Sequence, residues 1–341
     1  MTTLSGARVL VTGGAGFIGS HLVDTLLGRD AAEVRALDNL KNGTPHNVAT
    51  ALEDPRFSLI AGDIRDSAVR ERALRGIDMV FHLACLGVRH SLHDPLENHE
   101  VNALGSLLML ESARSAGVRR FVYVSTSEVF GTAQYAPMDE RHPTWPETVY
   151  GGSKLAGEAY ARAYFRTYGM DTVVIRPFNT YGPRSHFEGD SGEVIPRTIV
   201  RLISGERPII FGDGEQTRDF MHVLDTSAAL ALLADAPGLA GETLNLGSGT
   251  EVTVNALCAA VAAAVGRPDL TPVHDVARPG DVRRLLGDPT HMASLTGFAP
   301  TVEFTAGVAD LVEWFQKSAG ADPNRLSHME DRNWVTAEAV R

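Results

Sequence analysis

Apolar residues in the first half of the chain gather in short strand-length runs, some interrupted by a single polar residue such as Arg35 or Ser58. One lies within Arg8–Thr12, and others recur at residues 34–37, 57–60, 79–83, 121–124 and 172–175. Runs of four or five apolar residues are what strands buried on both faces require. Between them the apolar spacing changes to threes and fours, as in Ile18, Leu22 and Leu26 or Val101, Leu104 and Leu108, which places those side chains on one helix face. Alternating strands and helices of this kind predict an α/β protein with a doubly wound parallel sheet.

Glycines sharpen that picture. The first run is followed at once by Gly13-Gly14-Ala15-Gly16-Phe17-Ile18-Gly19. Gly14, Gly16 and Gly19 fit G-x-G-x-x-G, and Gly13, Gly16 and Gly19 fit the looser G-x-x-G-x-x-G. Either spacing permits a tight turn and lets backbone N–H groups approach a pyrophosphate at a helix N-terminus. The second run ends in Asp38, about 20 residues on, where a carboxylate meets the adenosine ribose hydroxyls. The sheet is therefore expected to be Rossmann-type. A carboxylate repels a 2′-phosphate and Asn39 and Leu40 offer no arginine, so NAD is expected rather than NADP. Asp63-Ile64 and His82-Leu83-Ala84 fall at the ends of later strands, with Asp63 placed near the adenine. His82 itself reads as a satisfied strand-end histidine.

After Arg176-Pro177 the runs give way to glycine- and proline-rich segments with short helices, as in a smaller α/β substrate-binding lobe. Glu242-Thr243-Leu244-Asn245-Leu246 reads as a strand returning to the sheet. The expected division is residues 1–176 with about 217–247 for NAD, 177–216 with about 248–317 for substrate, and a polar tail at 318–341. Charge changes the partner list. With 31 basic and 42 acidic residues the net charge is −11, which disfavours nucleic acid. No apolar run is long enough to span a bilayer and no signal peptide is evident, so a cytoplasmic protein with no membrane partner is expected. Cys85 and Cys258 are too far apart for a zinc or disulfide pattern, and His90, His93 and His99 read as exposed or capping residues, so no metal is expected.

The chemistry is read from Val124-Ser125-Thr126-Ser127-Glu128 followed by Tyr150-Gly151-Gly152-Ser153-Lys154. Residues i and i+4 of a helix share a face, so Tyr150 and Lys154 are expected to project into one site. A cation beside a phenol lowers its pKa from about 10 toward neutrality, which makes a base for a hydroxyl proton.

Jointly, Thr12 through Gly19, Asp38-Asn39, Asp63-Ile64, His82-Leu83-Ala84, Ser125 through Gly131, Tyr150 through Lys154, Arg176 through Arg184, Thr217-Arg218-Asp219-Phe220 and Arg278-Pro279-Gly280-Asp281 carry a family resemblance. To about Phe315 the chain resembles the extended short-chain dehydrogenase/reductases, in their nucleotide-sugar epimerase and dehydratase branch. The resemblance implies NAD held by Gly13, Gly16, Phe17, Ile18, Gly19, Asp38, Asn39, Asp63, Ile64, Leu83, Ala84, Tyr150 and Lys154. It implies a nucleotide-diphosphate sugar in the other lobe, with Asn179 on a phosphate, Val194 beside the base and Arg218 and Arg278 clamping the diphosphate. Guanidinium forks suit phosphate oxygens, which is the physical warrant for the arginines. A homodimer is expected on the same ground.

The resemblance also implies a shared first step. Tyr150, assisted by Thr126, takes the proton of the sugar 4-hydroxyl while hydride leaves C4, and Lys154 holds the nicotinamide ribose and keeps the phenol acidic. From the 4-ketone a 4-epimerase returns hydride to the other face, a 4,6-dehydratase removes the C5 proton and expels the C6 hydroxyl, and a uronate decarboxylase loses CO2. Glu128 favours the dehydratase, since proton abstraction beside a ketone needs a carboxylate facing C5. Ser127 departs from the pattern of thymidine-diphosphate-glucose dehydratases, which resemble this chain but usually have Asp there. A decarboxylase would need a cation such as Arg184 for its hexuronate. A non-catalytic NAD sensor or scaffold is the reading from another class, and the presence of both Tyr150 and Lys154 speaks against it.

Overall fold

The computed structural model describes residues 3–319 and 325–332. Its strands are β1 (Arg8–Thr12), β2 (Glu33–Asp38), β3 (Phe57–Ala61), β4 (Met79–His82), β5 (Arg120–Val124), β6 (Thr172–Pro177), β7 (Asn179–Tyr181), β8 (Ile209–Phe211), β9 (Thr217–His222), β10 (Thr243–Leu246), β11 (Glu251–Thr253) and β12 (Val273–Asp275). Seven form one sheet in the order β10-β6-β5-β4-β1-β2-β3. Every pairing in it is parallel. These are the seven expected strands, each shifted at its ends by at most two residues. The chain runs outward from β1 to β3 and then crosses back to β4, so the strand order reverses between β1 and β4. A crevice opens at the carboxyl ends on either side of that reversal.

Both faces of the sheet's central strands are covered, which explains their mostly apolar runs. Val9 and Val11 pack on one face against Leu22 and Leu26 of the helix Phe17–Gly28 and Leu230 and Leu233 of the helix Val223–Asp235. Leu10 and Val80 point the other way, onto Met109 and Leu110 of the helix Gly105–Ser115. A second lobe is built around β9, which lies between β11 and β7. Its core joins Ile199, Leu257 and Leu311 from the helices Val194–Ile203, Val254–Val265 and Phe304–Ala319. Among the described residues, no helix is long and apolar enough to cross a membrane.

Part of the expected polar tail is structured. Residues Ser318 and Ala319 end the last long helix. Beyond it comes a turn at Arg325–His328, where Arg325 Nη1 donates to the carbonyl of Phe315 at 3.0 Å. Met329 then packs against the second-lobe core. The rest of that tail, 320–324 and 333–341, lies outside the described residues.

The helix Val149–Tyr168 carries Tyr150 and Lys154, and its ends are set locally. Thr148 accepts a hydrogen bond from the Gly151 N–H at 3.2 Å, and Gly169 closes the helix in the left-handed region at φ 66°. Its buried side repeats at threes and fours: Gly151, Lys154, Gly157, Glu158 and Ala161. A Cβ on Gly157 would stand 2.1 Å from the Tyr123 hydroxyl, so only glycine lets the helix lie this close to β5. One residue on, the fully buried Glu158 accepts from Arg176 Nε at 2.8 Å and Nη2 at 2.7 Å, and from Ser125 Oγ at 2.6 Å. This carboxylate ties the helix to the ends of β5 and β6.

Removing one partner of such a pair leaves a buried charge uncompensated, so Glu158→Ala should destabilise the fold by about 3–5 kcal/mol in urea unfolding at neutral pH. Despite burial, Arg176 and Ser125 hold the Glu158 carboxyl below its ordinary range. A lowered folded pKa gives stability that is present above the unfolded value, about 4.3, and lost as pH falls through the folded one. The difference between wild type and variant should therefore be flat above about pH 5 and shrink in acid; a difference that instead grows below about pH 4 contradicts the assignment.

Candidate active site

The glycine loop sits at the crevice. Gly13 has φ +70°, and a Cβ there would lie 2.9 Å from the Ala84 nitrogen that faces it from the end of β4. A Cβ on Gly19 would lie 2.1 Å from the Gly13 carbonyl, so glycine is required where the helix folds down on the loop. Gly13, Gly16 and Gly19 line the cleft, whereas Gly14 packs against Ala36, so the looser spacing is the one that faces the cleft. Asp38 closes the loop by accepting from the N–H groups of Ala15 at 3.0 Å and Leu40 at 2.8 Å. Burial raises its carboxyl above the usual range, and these backbone donors oppose the shift. Phe17, Ile18, Asn39, Asp63, Ile64, Leu83 and Ala84 line the same cleft. Asp63 is salt-bridged to Arg65 at 2.7 Å, which holds it below the usual carboxylate range. A cradle that any Cβ would fill, with an acid at the end of β2, fits NAD.

Where β5 ends, the turn Ser127–Val129 begins, and Thr126 Oγ1 accepts from the Glu128 N–H at 3.2 Å. A Cβ on Gly151 would stand 2.6 Å from the Glu128 carbonyl, so the first turn of the Tyr150 helix rests directly on this turn. Thr126, Ser127, Glu128 and Tyr150 all line the cleft. The half-buried Tyr150 has its pKa raised above 10, first by burial and then by Cys85 and Glu128, while a hydrogen bond with Thr126 pulls it down. Lys154 differs from expectation. Its side chain is buried behind the cleft, with Nζ donating to the Val124 carbonyl at 2.6 Å and lying 4.5 Å from the Tyr123 ring centroid. Burial lowers its own pKa, and its charge is not among those that act on Tyr150 here. The strand-end carbonyl has captured the ammonium that the helix face would otherwise have aimed at the phenol.

The second lobe brings a cluster of arginines. Arg218 Nη2 and Arg278 Nη2 share one oxygen of Asp281, at 2.8 and 2.5 Å. Asn179 and Val194 line the cleft with them, and Asn179 Oδ1 is buried with no hydrogen-bond partner. Glu128 feels this group. Burial raises its carboxyl most, Arg218, Arg278 and Arg89 lower it, and Asp281 raises it. Sequence reasoning missed Arg89, Glu193, Arg197, Arg201 and Lys41, all of which line the cleft. Arg89 lies beyond the end of β4, beside the reversal in strand order, and that position was the available signal. Burial pushes the Glu193 carboxyl up to about 8, against the pull of Arg89.

Arg184 is not brought into the cleft. It adopts φ 66° and its Nη2 pairs with Asp24 at 2.8 Å. His82 is fully buried, bonded to Thr12 Oγ1 at 2.7 Å and Ser106 Oγ at 3.0 Å. His90 does have acidic neighbours, Asp94 and Glu97, contrary to the sequence reading. Lys41 Nζ sits among them, 2.6 Å from Glu97 and 3.4 Å from His90, so a cation already occupies the cluster.

Comparisons with known proteins agree with this geometry. The profile of the NAD dependent epimerase/dehydratase family matches residues 9–247. The chain is 38% identical over 320 residues to UDP-glucose 4-epimerase of Mycolicibacterium smegmatis, covering 92% of this chain and 99% of that protein. It is 37% identical over 317 residues to a dTDP-glucose 4,6-dehydratase of an Actinoplanes species, covering 91% and 98%. Among solved structures, the dTDP-glucose 4,6-dehydratase DesIV of Streptomyces venezuelae, crystallised with NAD, superposes with a TM-score of 0.88 at 36% identity, covering 93% of this chain and 99% of that one. A glycine cradle for NAD, Tyr150 and Thr126 lining the same cleft, and sequence similarity along nine-tenths of the chain lead to one conclusion: this chain is an enzyme of the NAD-dependent epimerase/dehydratase family.

Proposed function

We propose that the protein is an NAD-dependent nucleotide-diphosphate-hexose 4,6-dehydratase. The observation that carries this reading is Glu128, a carboxyl group lining the same cleft as Tyr150 and Thr126 and set by the turn on which the Tyr150 helix rests. Tyr150 acts as phenolate, the form that the Thr126 hydrogen bond favours, and becomes a neutral phenol on taking the proton of the sugar 4-hydroxyl as hydride leaves C4. Bound NAD supplies the acceptor for the hydride from C4 and gives it back at the end. Lys154 holds the end of β5 in place through Val124, and would be the residue to hold the nicotinamide ribose when NAD is bound. Glu128 then takes the C5 proton, acidified by the neighbouring ketone. Arg218 and Arg278, paired through Asp281, present their remaining N–H groups to the diphosphate, Asn179 adds a polar group beside it, and Val194 flanks the base.

A 4-epimerase is the second reading. It is favoured by Ser127, a neutral side chain where a dehydratase of this kind would place an acid, and by the M. smegmatis relative. The decarboxylase reading cannot rest on Arg184, which pairs with Asp24, and would need another cleft cation such as Arg89 for its hexuronate. We also place the enzyme in the cytoplasm and infer a homodimer. Exposed Leu104 and Tyr168, on neighbouring helical segments, support the pairing.

Tyr150→Phe should abolish sugar oxidation while NAD binding persists, measured by turnover and by cofactor titration; near wild-type turnover sinks the assignment. Asp38→Ala should weaken NAD relative to NADP by about 1–3 kcal/mol, roughly 5- to 150-fold, read from the ratio of dissociation constants. Asp38→Asn, which keeps an acceptor for the loop, should show most of that change if charge is the cause. Glu128→Gln should still oxidise C4 and accumulate enzyme-bound NADH, seen by absorbance. In deuterated water the wild type should yield a 6-deoxy-4-keto product carrying deuterium at C5. Unaltered turnover of Glu128→Gln, or a product of unchanged mass without deuterium, replaces the dehydratase with the epimerase.

A further inference from the structure

One buried cation in the cleft lacks a full set of partners. Arg197, on the first turn of the helix Val194–Ile203, is 9% exposed and lines the cleft. Its Nη2 donates to the backbone carbonyls of Glu330 at 2.5 Å and Asp331 at 3.1 Å. Its Nη1 is buried with no hydrogen-bond partner. Buried guanidinium N–H groups are otherwise bonded, because leaving one unpaired forfeits its hydration. One turn further along, Arg201 also lines the cleft, and its Nη1 pairs with the Asp331 carboxylate at 2.8 Å. The segment that grips both arginines is itself anchored. Met329 packs on the second-lobe core, and Arg332 forks onto Asp275 of β12 at 2.6 and 2.8 Å.

We propose that residues 325–332 form a strap that completes the nucleotide end of the cleft, holding one edge of the Arg197 guanidinium so that Nη1 meets an anionic oxygen of the nucleotide diphosphate. This rests on the nucleotide-sugar reading above. An anion is favoured over a neutral acceptor because burial, more than any neighbour, presses on the Arg197 charge, and Arg201 adds to that while Asp331 and Glu330 offset it. Arg201 stands beside it and Arg89 lies within electrostatic reach, and burial presses on the charge of Arg197 and Arg89 less once a phosphate is present. The strap fixes the guanidinium through two backbone carbonyls, so the loss of side-chain freedom is taken before the ligand arrives. Backbone acceptors do this without neutralising the cation, which stays available to the phosphate.

The test is calorimetric titration of UDP and dTDP into the NAD-saturated enzyme, comparing the whole chain, Arg197→Gln, a chain ended after residue 324, and the two changes combined. A charge-assisted hydrogen bond predicts a roughly 10- to 100-fold weaker nucleotide affinity for each single change. The combined variant should lose no more than Arg197→Gln alone, because the strap acts through that side chain. NAD affinity should be the same in all four, which also reports folding. If the shortened chain does not bind NAD, Asp331→Ala with Arg332→Ala in the whole chain replaces it under the same expectation. Nucleotide affinity unchanged by loss of the strap, or losses that multiply in the combined variant, overturns the strap alone. A wild-type enzyme that binds no nucleoside diphosphate overturns the nucleotide-sugar reading, and the strap with it.

Discussion

The site depends on one buried carboxylate. Glu158 has no solvent exposure, and an isolated charge in that position would cost several kcal/mol, so it persists because Arg176 grips it with two nitrogens, Ser125 adds a third hydrogen bond and Arg162, one turn on, a fourth. Those partners come from different elements. Ser125 immediately precedes Thr126, Arg176 lies on β6, and Glu158 is two turns beyond Tyr150 on its helix. The Arg176 guanidinium also lies 4.7 Å from the Phe130 ring centroid, and Phe130 belongs to the small core under the Glu128 turn. A single ion pair thus sets the distance between the Thr126 strand end, the Tyr150 helix and the loop that carries Glu128. Packing reinforces it, since Gly151 and Gly157 leave no room for the helix to shift toward solvent without opening a gap.

Charge is unevenly spread over the two sides of the cleft, with Lys41 and Arg89 on the cofactor side and Glu193 on the other running against the trend. The cofactor side presents Asp38, whose oxygens are engaged by backbone N–H groups, and Asp63, already paired with Arg65. The second lobe presents Arg197, Arg201, Arg218 and Arg278, with Asp281 shared by the last two. Burial lowers the pKa of Arg197 and Arg218, the direction expected where a guanidinium has lost hydration. An anion entering there recovers solvation that the fold has already given up. This is preorganisation: the cost is borne by folding, and binding gains from it.

The sheet was legible because its central strands are buried on both faces and read as short, mostly apolar runs, with helices of clear threes-and-fours spacing between them. β7, β8, β11 and β12 were not, since three residues are too few to show a period. The glycine loop was legible as a motif, but which glycines face the cleft was not, because that depends on Ala36 standing under Gly14. Thr126, Glu128 and Tyr150 were readable from spacing and do meet in the cleft. Lys154 was read as projecting into one site with Tyr150 and keeping its phenol acidic; its ammonium lies 2.6 Å from the Val124 carbonyl, a partner that no sequence pattern reveals. Arg89 and Glu193 come from segments about a hundred residues apart and gain meaning only when the two lobes face each other. Arg184 carries the opposite lesson, as a cation beside a promising motif that the backbone turns toward Asp24.

The fate of the 4-ketone depends on how many proton-transfer groups the cleft holds. Ser127 is neutral at about pH 7 and a poor acid, so an elimination here would rely on Glu128 for both halves of the step, taking the proton from C5 and delivering it to the departing C6 oxygen. A carboxyl can serve twice only if its pKa lies nearer neutrality than that of a solvated glutamate, and burial moves Glu128 in that direction. The arginines pull the other way. Arg218, Arg278 and Arg89 all favour the ionised form, and only Asp281 opposes them. Neutralising those cations with a diphosphate would weaken their pull and let the Glu128 pKa rise further, so substrate binding itself would tune the group toward the dual role. An epimerase makes no such demand, because Tyr150 and Thr126 suffice for it and Glu128 would remain a counter-charge to the arginines. The same carboxyl is therefore either the most titratable group in the loaded cleft or a spectator, and its protonation state in the nucleotide-bound enzyme separates the two chemistries.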